Sequence, residues 1–255
     1  GIGKSMVLAY FEKHQRENDG NESNQKQVII SRYIGITTQS NSILSLLKSI
    51  INELYELYPD LKQEINDKAN QQHAFDENDM YDAMDYLYQL LEKVLTIYSP
   101  PIILLLFESV NQFASKTQEL EFLNLVINTI GNPRIKVIMS TDNVQMAQKQ
   151  MQKSGIKVDH IELDKMSKDE IVMFIKHYMS QYGKVFDEKQ KAMITQNDSV
   201  SNPLFLTIFL EEMRCFGSFE NLNEYISSYI KVASISELFD KVMQRLHVEF
   251  NEGCN

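Results

Sequence analysis

The sequence has few of the residues that mark secreted, membrane-spanning or nucleic-acid-binding proteins. Its two cysteines, Cys215 and Cys254, are too few for a disulfide framework or a cysteine-rich metal site. The apolar stretch 101–107 is far shorter than the roughly 18 residues that a membrane span needs. The 25 basic residues are outnumbered by 35 acidic ones and form no basic block, which gives a nucleic-acid groove little support. We therefore expect a cytoplasmic protein with no membrane span and no nucleic-acid partner.

Other common signatures are also missing. The five histidines have no metal-binding spacing, no repeat of 20–50 residues is visible, and a polar stretch within the first twenty residues argues against a signal peptide. No guanine-reading Asn-Lys-x-Asp occurs. What remains is ordinary for a globular protein: 43% hydrophobic and 24% charged residues over 255 positions. That length allows one large α/β domain or two smaller ones.

The first five residues, Gly1 to Ser5, match the second half of a phosphate-binding loop, G-x-x-x-x-G-K-[ST]. In such a loop backbone N–H groups wrap the phosphates, the lysine neutralises them and the hydroxyl binds Mg²⁺. The first glycine and the strand leading into the loop would precede Gly1, so we expect a fragment that binds nucleotide poorly. The same residues could be a flexible leader, in which case the protein would be a general helical adaptor.

Hydrophobic periodicity predicts alternating strands and helices up to residue 163 and helices alone from 164 onwards. The predicted strands are 28–34, 102–107, 135–141 and 158–163; the predicted helices are 4–16, 40–58, 80–98, 118–130, 168–182, 187–196, 203–215, 219–229 and 235–250. Residues 59–77 have no clear pattern. Ser167 and Glu170 form a capping-box signature, and Gly183 and Gly217 stand where helices should stop. We predict an α/β domain, 1–163, with a parallel sheet and helices on both faces, followed by an all-α domain, 164–255.

A phosphate-binding loop needs an acidic residue at the end of a second apolar strand. Glu108 follows the apolar run 102–107 and is the candidate, with Asn111 and Gln112 close behind it. The alternative is a plain core strand with a solvated glutamate. Ser140 and Thr141 follow the next strand, where they could sense the γ-phosphate or merely cap a turn. If the loop interpretation holds, Glu108 must face Lys4 and Ser5 at one rim of the sheet.

These segments together resemble the NACHT-type NTPases of the STAND class, especially the telomerase-associated and nephrocystin-like proteins that carry WD or TPR repeats. The resemblance extends over nearly the whole chain. The matching segments are 3–5 (Walker A), 33–40, 102–112 (Walker B), 135–141 (sensor strand), 163–167, 202–206, 211–214 and 216–219. The last three are the most specific, because three spaced clusters match together.

The resemblance implies a P-loop NTPase sheet followed by a helical and winged-helix region, acting as an ATP/ADP and Mg²⁺ switch that self-oligomerises. It places Gly1, Ile2, Gly3, Lys4, Ser5, Met6, Ser140 and Pro203 at the nucleotide, Ser5 and Glu108 at the metal, and Glu108 and Asn111 at the reacting water. The signal-binding repeats are absent here, which again predicts a fragment.

Two departures from the family pattern bear on catalysis. Its Walker B motif carries two acids, which here are Glu108 and Asn111. Compared with the aspartate of the family pattern, Glu108 has one more methylene group. This moves its carboxylate by roughly 1.5 Å, which is enough to affect metal-dependent chemistry. Asn111 can orient a water but cannot accept its proton. Nucleotide binding is therefore expected, with hydrolysis slow or lost; the alternative is a degenerate domain that serves mainly as a protein-interaction scaffold.

Overall fold

A computed structural model describes residues 3–18, 27–61, 76, 78–100, 102–217 and 221–252. The chain divides into two compact units, Lys4–His160 on the one hand and Ile161–Asn255 with Gly1–Gly3 on the other. In the described part of the chain no helix is both long and apolar enough to cross a membrane.

The first unit is built on a parallel sheet of the strands β1 (Val28–Tyr33), β2 (Ile103–Glu108) and β3 (Ile135–Met139), in the order β1-β2-β3. Tyr33 pairs with Glu108, and Phe107 pairs with Met139. Every residue of β2 is buried, as expected for the continuous apolar run of a central parallel strand. Because all strands point the same way, the residues that follow β2 and β3 meet at one rim.

Helices cover both faces of this sheet. They are α1 (Lys4–Asn18), α2 (Ile43–Leu57), α3 (Met80–Ile97), α4 (Lys116–Thr129) and α5 (Val144–Lys153). Alternate strand residues point to opposite faces. Ile30, Leu105 and Phe107 join the main core with α2, α3 and α4, whereas Leu104 and Leu106 pack with Leu8 of α1.

Polar contacts fix α1 against β1. Glu12 accepts hydrogen bonds from the Ser31 hydroxyl at 2.7 Å and the Tyr33 hydroxyl at 3.2 Å, and Arg16 donates to the Ile29 carbonyl at 3.1 Å. Burial alone would raise the pKa of Glu12, but hydrogen bonds from Ser31 and Arg16 outweigh it and hold the pKa below its ordinary value. The N-terminus of α1 is thereby held at the carboxyl rim of the sheet.

Two local predictions were wrong. Residues 158–163 form no strand, and Ile161 is 85% exposed, because an alternating pattern does not make a strand without a neighbour to pair with. Helix α5 was not predicted, since it is mostly polar and buries only Ala147 and Met151, one turn apart. Most of 59–77 lies outside the described residues.

The second unit consists of helices in its described part: α6 (Lys168–Ser180), α7 (Glu188–Thr195), α8 (Pro203–Cys215), α9 (Leu222–Ile230) and α10 (Ile235–Glu252). The predicted capping box is confirmed: Ser167 caps the Glu170 amide, and the Glu170 carboxylate accepts from the Ser167 amide at 2.7 Å. Phe205, Phe209 and Met213 of α8 lie in the middle of the core.

A buried carboxylate joins three of these helices. Glu212 on α8 is only 5% exposed and accepts two hydrogen bonds from Arg245 on α10, at 2.7 and 2.9 Å. The hydroxyls of Tyr225 and Tyr229 on α9 lie 3.4 and 3.2 Å from the same carboxylate. Hydrogen bonding to Glu212 is the main reason that the pKa of Arg245 is raised.

We expect Arg245→Ala to lower the free energy of unfolding by about 3 kcal/mol, because it leaves Glu212 buried without its cation. Faster amide hydrogen exchange throughout α8, α9 and α10 would report this. Glu249→Gln is the matched control, because Glu249 is the other ion-pair partner of Arg245. The Glu249 side chain is 60% exposed, so its loss should change the free energy of unfolding by under about 1 kcal/mol. Equal effects of the two variants would contradict the assigned role of Glu212.

Candidate functional site

The start of α1 meets the carboxyl ends of β2 and β3. Ser5, in the first turn of α1, donates its hydroxyl proton to Oε1 of Glu108, the last residue of β2, at 2.7 Å. The juxtaposition that the phosphate-loop interpretation requires is therefore present. Residues separated by 103 positions in sequence are brought together by the parallel topology.

The Glu108 carboxylate is buried, at 5% exposed, and surrounded by hydroxyl groups. Besides Ser5, the hydroxyl of Ser109 donates to Oε1 at 2.6 Å, and that of Ser140 lies 3.5 Å away. A buried carboxylate is costly unless it is hydrogen-bonded, so these donors stabilise a negative charge at the rim. Ser109 reaches Oε1 from a left-handed backbone conformation, φ 59°, which is uncommon outside glycine.

Ser140 also fixes the loop that leaves β2. Its hydroxyl accepts from the Ser109 amide at 2.8 Å, and its carbonyl accepts from the Val110 amide at 2.9 Å. Ser140 therefore links the ends of β2 and β3. The hydroxyl of Thr141 instead accepts from the Asn143 amide at 2.9 Å. Thr141 therefore caps a turn, which was the alternative to a role in sensing the γ-phosphate.

Lys4 forms an ion pair with Asp142, in the loop after β3. Asn111 holds this aspartate from the other side: its amide group donates to Asp142 Oδ2 at 3.3 Å, and its carbonyl accepts from the Asp142 backbone amide at 3.1 Å. Asn111 was predicted to lie beside a reacting water; in the structure it orients a carboxylate.

The remaining predicted residues lie at different places. Met6 is on α1 and 75% exposed, whereas Gly1 and Ile2 lie outside the described residues. Gly3 has a φ of +96°, and a Cβ on it would lie 3.9 Å from Cγ of Pro203 in the same unit. Pro203 begins α8 behind the N-cap Asn202, the ordinary role of proline at a helix start.

Asp142 and Ser109 were not predicted as site residues. Asp142 directly follows Ser140 and Thr141 at the end of β3, so the rule that parallel strands share a functional carboxyl rim could have indicated it. Nothing in the sequence signals Ser109, whose hydroxyl is aimed by an unusual backbone conformation.

The rim offers the chemical groups that an Mg²⁺-bound anion requires. Lys4 supplies a cation, and the first turn of α1 contains no acidic residue and carries backbone amides that have no acceptor within the helix. Ser5 and Glu108 supply the hard oxygen ligands that Mg²⁺ prefers. No group of three or more His, Cys, Asp or Glu side chains among the described residues could hold a metal by itself. The residues present suit an ion that arrives with phosphate oxygens, because Mg²⁺ commonly uses only one or two protein ligands in such sites.

The three-stranded parallel sheet, the helices on its two faces and the polar groups at its carboxyl rim together form a small α/β domain. The family described as nephrocystin 3, N-terminal, matches residues 1–141, which is more than half of the chain. The chain therefore belongs to the nephrocystin 3 N-terminal family. The nephrocystin-like part of the predicted resemblance is thus confirmed.

A TPR repeat-containing protein of Dictyostelium discoideum is 21% identical to the chain over 274 aligned residues. The alignment covers 98% of this chain but only 16% of that relative. The chain is thus similar to a small part of a much longer repeat protein. No solved structure matches the chain.

We expect Gly35→Ala to destabilise the first unit by about 2–4 kcal/mol. Gly35 has a φ of +82°, and a Cβ there would lie 2.7 Å from Cβ of Gln112 in the loop behind Glu108. The left-handed conformation alone costs an alanine about 1–2 kcal/mol, and the overlap adds to it. Urea unfolding would measure the loss.

Gly155→Ala is the matched control, because Gly155 has a φ of +70° and open space around its Cα. It should lose only the conformational part, about 1–2 kcal/mol. If both variants lost the same free energy of unfolding, the close approach of Gly35 to Gln112 would contribute nothing measurable to stability.

Proposed function

We propose that residues 4–160 form a P-loop ATP-binding domain of the NACHT type, and that the whole chain is a nucleotide-dependent switch module of a larger interaction protein. One observation carries the proposal: the Lys4-Ser5 turn lies against the buried Glu108 carboxylate at the carboxyl rim of a parallel sheet. Such a pairing of a loop hydroxyl with a strand-end acid is what a magnesium–nucleotide site requires.

Each residue at the rim has a distinct task in this proposal. The Lys4 ammonium neutralises the β- and γ-phosphates, and the free amides of the first turn of α1 donate to phosphate oxygens. Bound Mg²⁺ supplies further charge neutralisation, with the Ser5 hydroxyl as a ligand and Glu108 as its carboxylate support. Ser140 keeps Glu108 in place and would contact the γ-phosphate.

Hydrolysis is slow in this proposal. Asn111 stands where the family pattern has its second acid. Its side-chain amide donates a hydrogen bond to the Asp142 carboxylate and accepts one from the Asp142 backbone amide. An amide cannot take the proton of an attacking water at neutral pH. Binding and release of ATP or ADP, rather than rapid turnover, then set the state of the switch.

The longer TPR repeat-containing relative supports the proposal that this chain is part of a larger protein. The TPR repeat-containing relative is far longer than this chain, and TPR arrays form extended binding surfaces for other proteins. We propose that the chain belongs to such a cytoplasmic scaffold and that nucleotide binding controls self-association of its subunits.

A second candidate is a degenerate domain that works mainly as a scaffold. The Lys4–Asp142 ion pair favours it, since a loop lysine that is already neutralised attracts phosphate less strongly. Asn111 favours it as well, because it removes the second acid.

We expect Lys4→Met to weaken Mg–ATP binding at least tenfold, because the methionine keeps the length of the side chain and removes its charge. Fluorescence anisotropy of a labelled ATP analogue, with and without Mg²⁺, would measure this. Lys13→Met on the same helix is the matched control, since the Lys13 side chain is 72% exposed and pairs with Glu17 at 3.7 Å. Unchanged binding by the Lys4 variant would support a general helical adaptor.

We expect Glu108→Gln to abolish most of the Mg²⁺-dependent gain in ATP affinity, since the amide is a poorer metal support than the carboxylate. The same binding assay at several Mg²⁺ concentrations would test it. Retention of the full magnesium effect would exclude Glu108 from the metal site.

Turnover separates the two candidates. A switch releases phosphate slowly but measurably in single-turnover assays, and Asn111→Asp raises the rate because it restores a proton acceptor. A scaffold binds Mg–ATP without phosphate release in either form.

A further inference from the structure

The ion pair between Lys4 and Asp142 has a specific consequence at the proposed phosphate site. We propose that Asp142 is an internal counter-ion that holds Lys4 while no nucleotide is bound and is displaced when phosphate arrives. The inference rests on the proposed function, in which Lys4 binds the phosphates. It adds that an anion of the chain itself, the Asp142 carboxylate, competes with phosphate for Lys4 and so regulates the affinity for nucleotide.

Asp142 suits this role because it can move at little cost. Its side chain is 66% exposed and lies in the loop after β3, whereas the Lys4 side chain is only 23% exposed. Glu108, the other acid at the rim, is buried and accepts hydrogen bonds from Ser5 and Ser109. A phosphate that approaches Lys4 can therefore displace Asp142 into solvent, while Glu108 stays in place.

Displacement of Asp142 is transmitted through Asn111. The Asn111 side chain bonds both to the backbone amide of Asp142, at 3.1 Å, and to its carboxylate, at 3.3 Å. Asn111 lies in the short 3₁₀ turn between β2 and α4, and Asn143, next to Asp142, begins α5. Asn143 also donates to Glu119 of α4, at 3.0 and 3.2 Å. Loss of the Lys4–Asp142 pair thus changes the contacts between the starts of α4 and α5.

The size of the effect follows from the exposure of the pair. Because Asp142 is 66% exposed, solvent screens the pair even though Lys4 is only 23% exposed, and we expect the pair to contribute about 1 kcal/mol, which corresponds to a factor of about five in an equilibrium constant. Asp142 therefore lowers the affinity for phosphate moderately without blocking it.

Binding of inorganic pyrophosphate and of Mg–ATP by the 255-residue chain is the first test. We expect Asp142→Asn to bind both about five times more tightly than the unsubstituted chain. Asp85→Asn is the charge-matched control, since it removes the same charge from an exposed position on α3, and it should leave the affinity unchanged. The gain should vanish when Asp142→Asn is combined with Lys4→Met, because the two residues then no longer interact.

Acetylation of Lys4 in the absence of nucleotide is the second test, read by mass spectrometry against Lys13 as an internal reference. Removal of the counter-ion by Asp142→Asn should raise the Lys4 rate about fivefold, whereas Asp85→Asn should not. An unchanged Lys4 rate would overturn the inference.

The two tests separate this inference from the proposed function. If the chain binds pyrophosphate and Mg–ATP through Lys4 but Asp142→Asn binds them equally or more weakly, the counter-ion inference fails alone. Weaker binding would mean that Asp142 assists the bound nucleotide, and equal binding would mean that it has no effect on affinity. If no form binds either ligand, the proposed function fails and the inference fails with it.

Discussion

The buried carboxylate of Glu108 is the constraint on which the arrangement of the first unit's rim depends. A negative charge at the end of a central strand must be hydrogen-bonded, and its donors come from the start of α1, from the residue after β2 and from the end of β3. Ser5, Ser109 and Ser140 are thereby drawn to one point. The same carboxylate therefore organises the local fold, and in the proposed function it is also the group that would support a magnesium ion.

Two acids with different environments lie at the rim, Glu108 beside Ser5 and Asp142 beside Lys4. Glu108 is fixed by burial and hydroxyl donors, whereas Asp142 is exposed and can exchange its cation for solvent. In the proposed function, the fixed charge of Glu108 would support a metal ion, and the exposed charge of Asp142 would compete with a phosphate for Lys4. The amide of Asn111 connects the mobile acid to the loop behind the fixed one. In the proposed function, such a site would respond to nucleotide binding through changes in contacts rather than through rapid hydrolysis.

The second unit is held together by a different use of buried charge. Glu212 and Arg245 join α8 and α10, and two tyrosine hydroxyls of α9 complete the hydrogen bonding. No sequence motif indicates this cluster, because its members are spread over separate helices. By contrast, the sequence predicted the capping box at Ser167 and the start of α8 at Pro203, since each depends on neighbouring residues only.

The sequence by itself determined the local structure: the buried strand β2 followed from its unbroken apolar run, and most helices followed from their periodicity and caps. It also indicated that Ser5 and Glu108 should meet, because a phosphate-loop motif is followed by a strand that ends in an acidic residue facing the loop. Only the tertiary structure decided that Asp142 pairs with Lys4, that Asn111 orients that aspartate, and that 158–163 finds no strand partner. The physical reason is that periodicity and caps act over a few neighbouring residues, whereas ion pairs and strand pairing depend on which distant segments the fold brings within hydrogen-bonding distance.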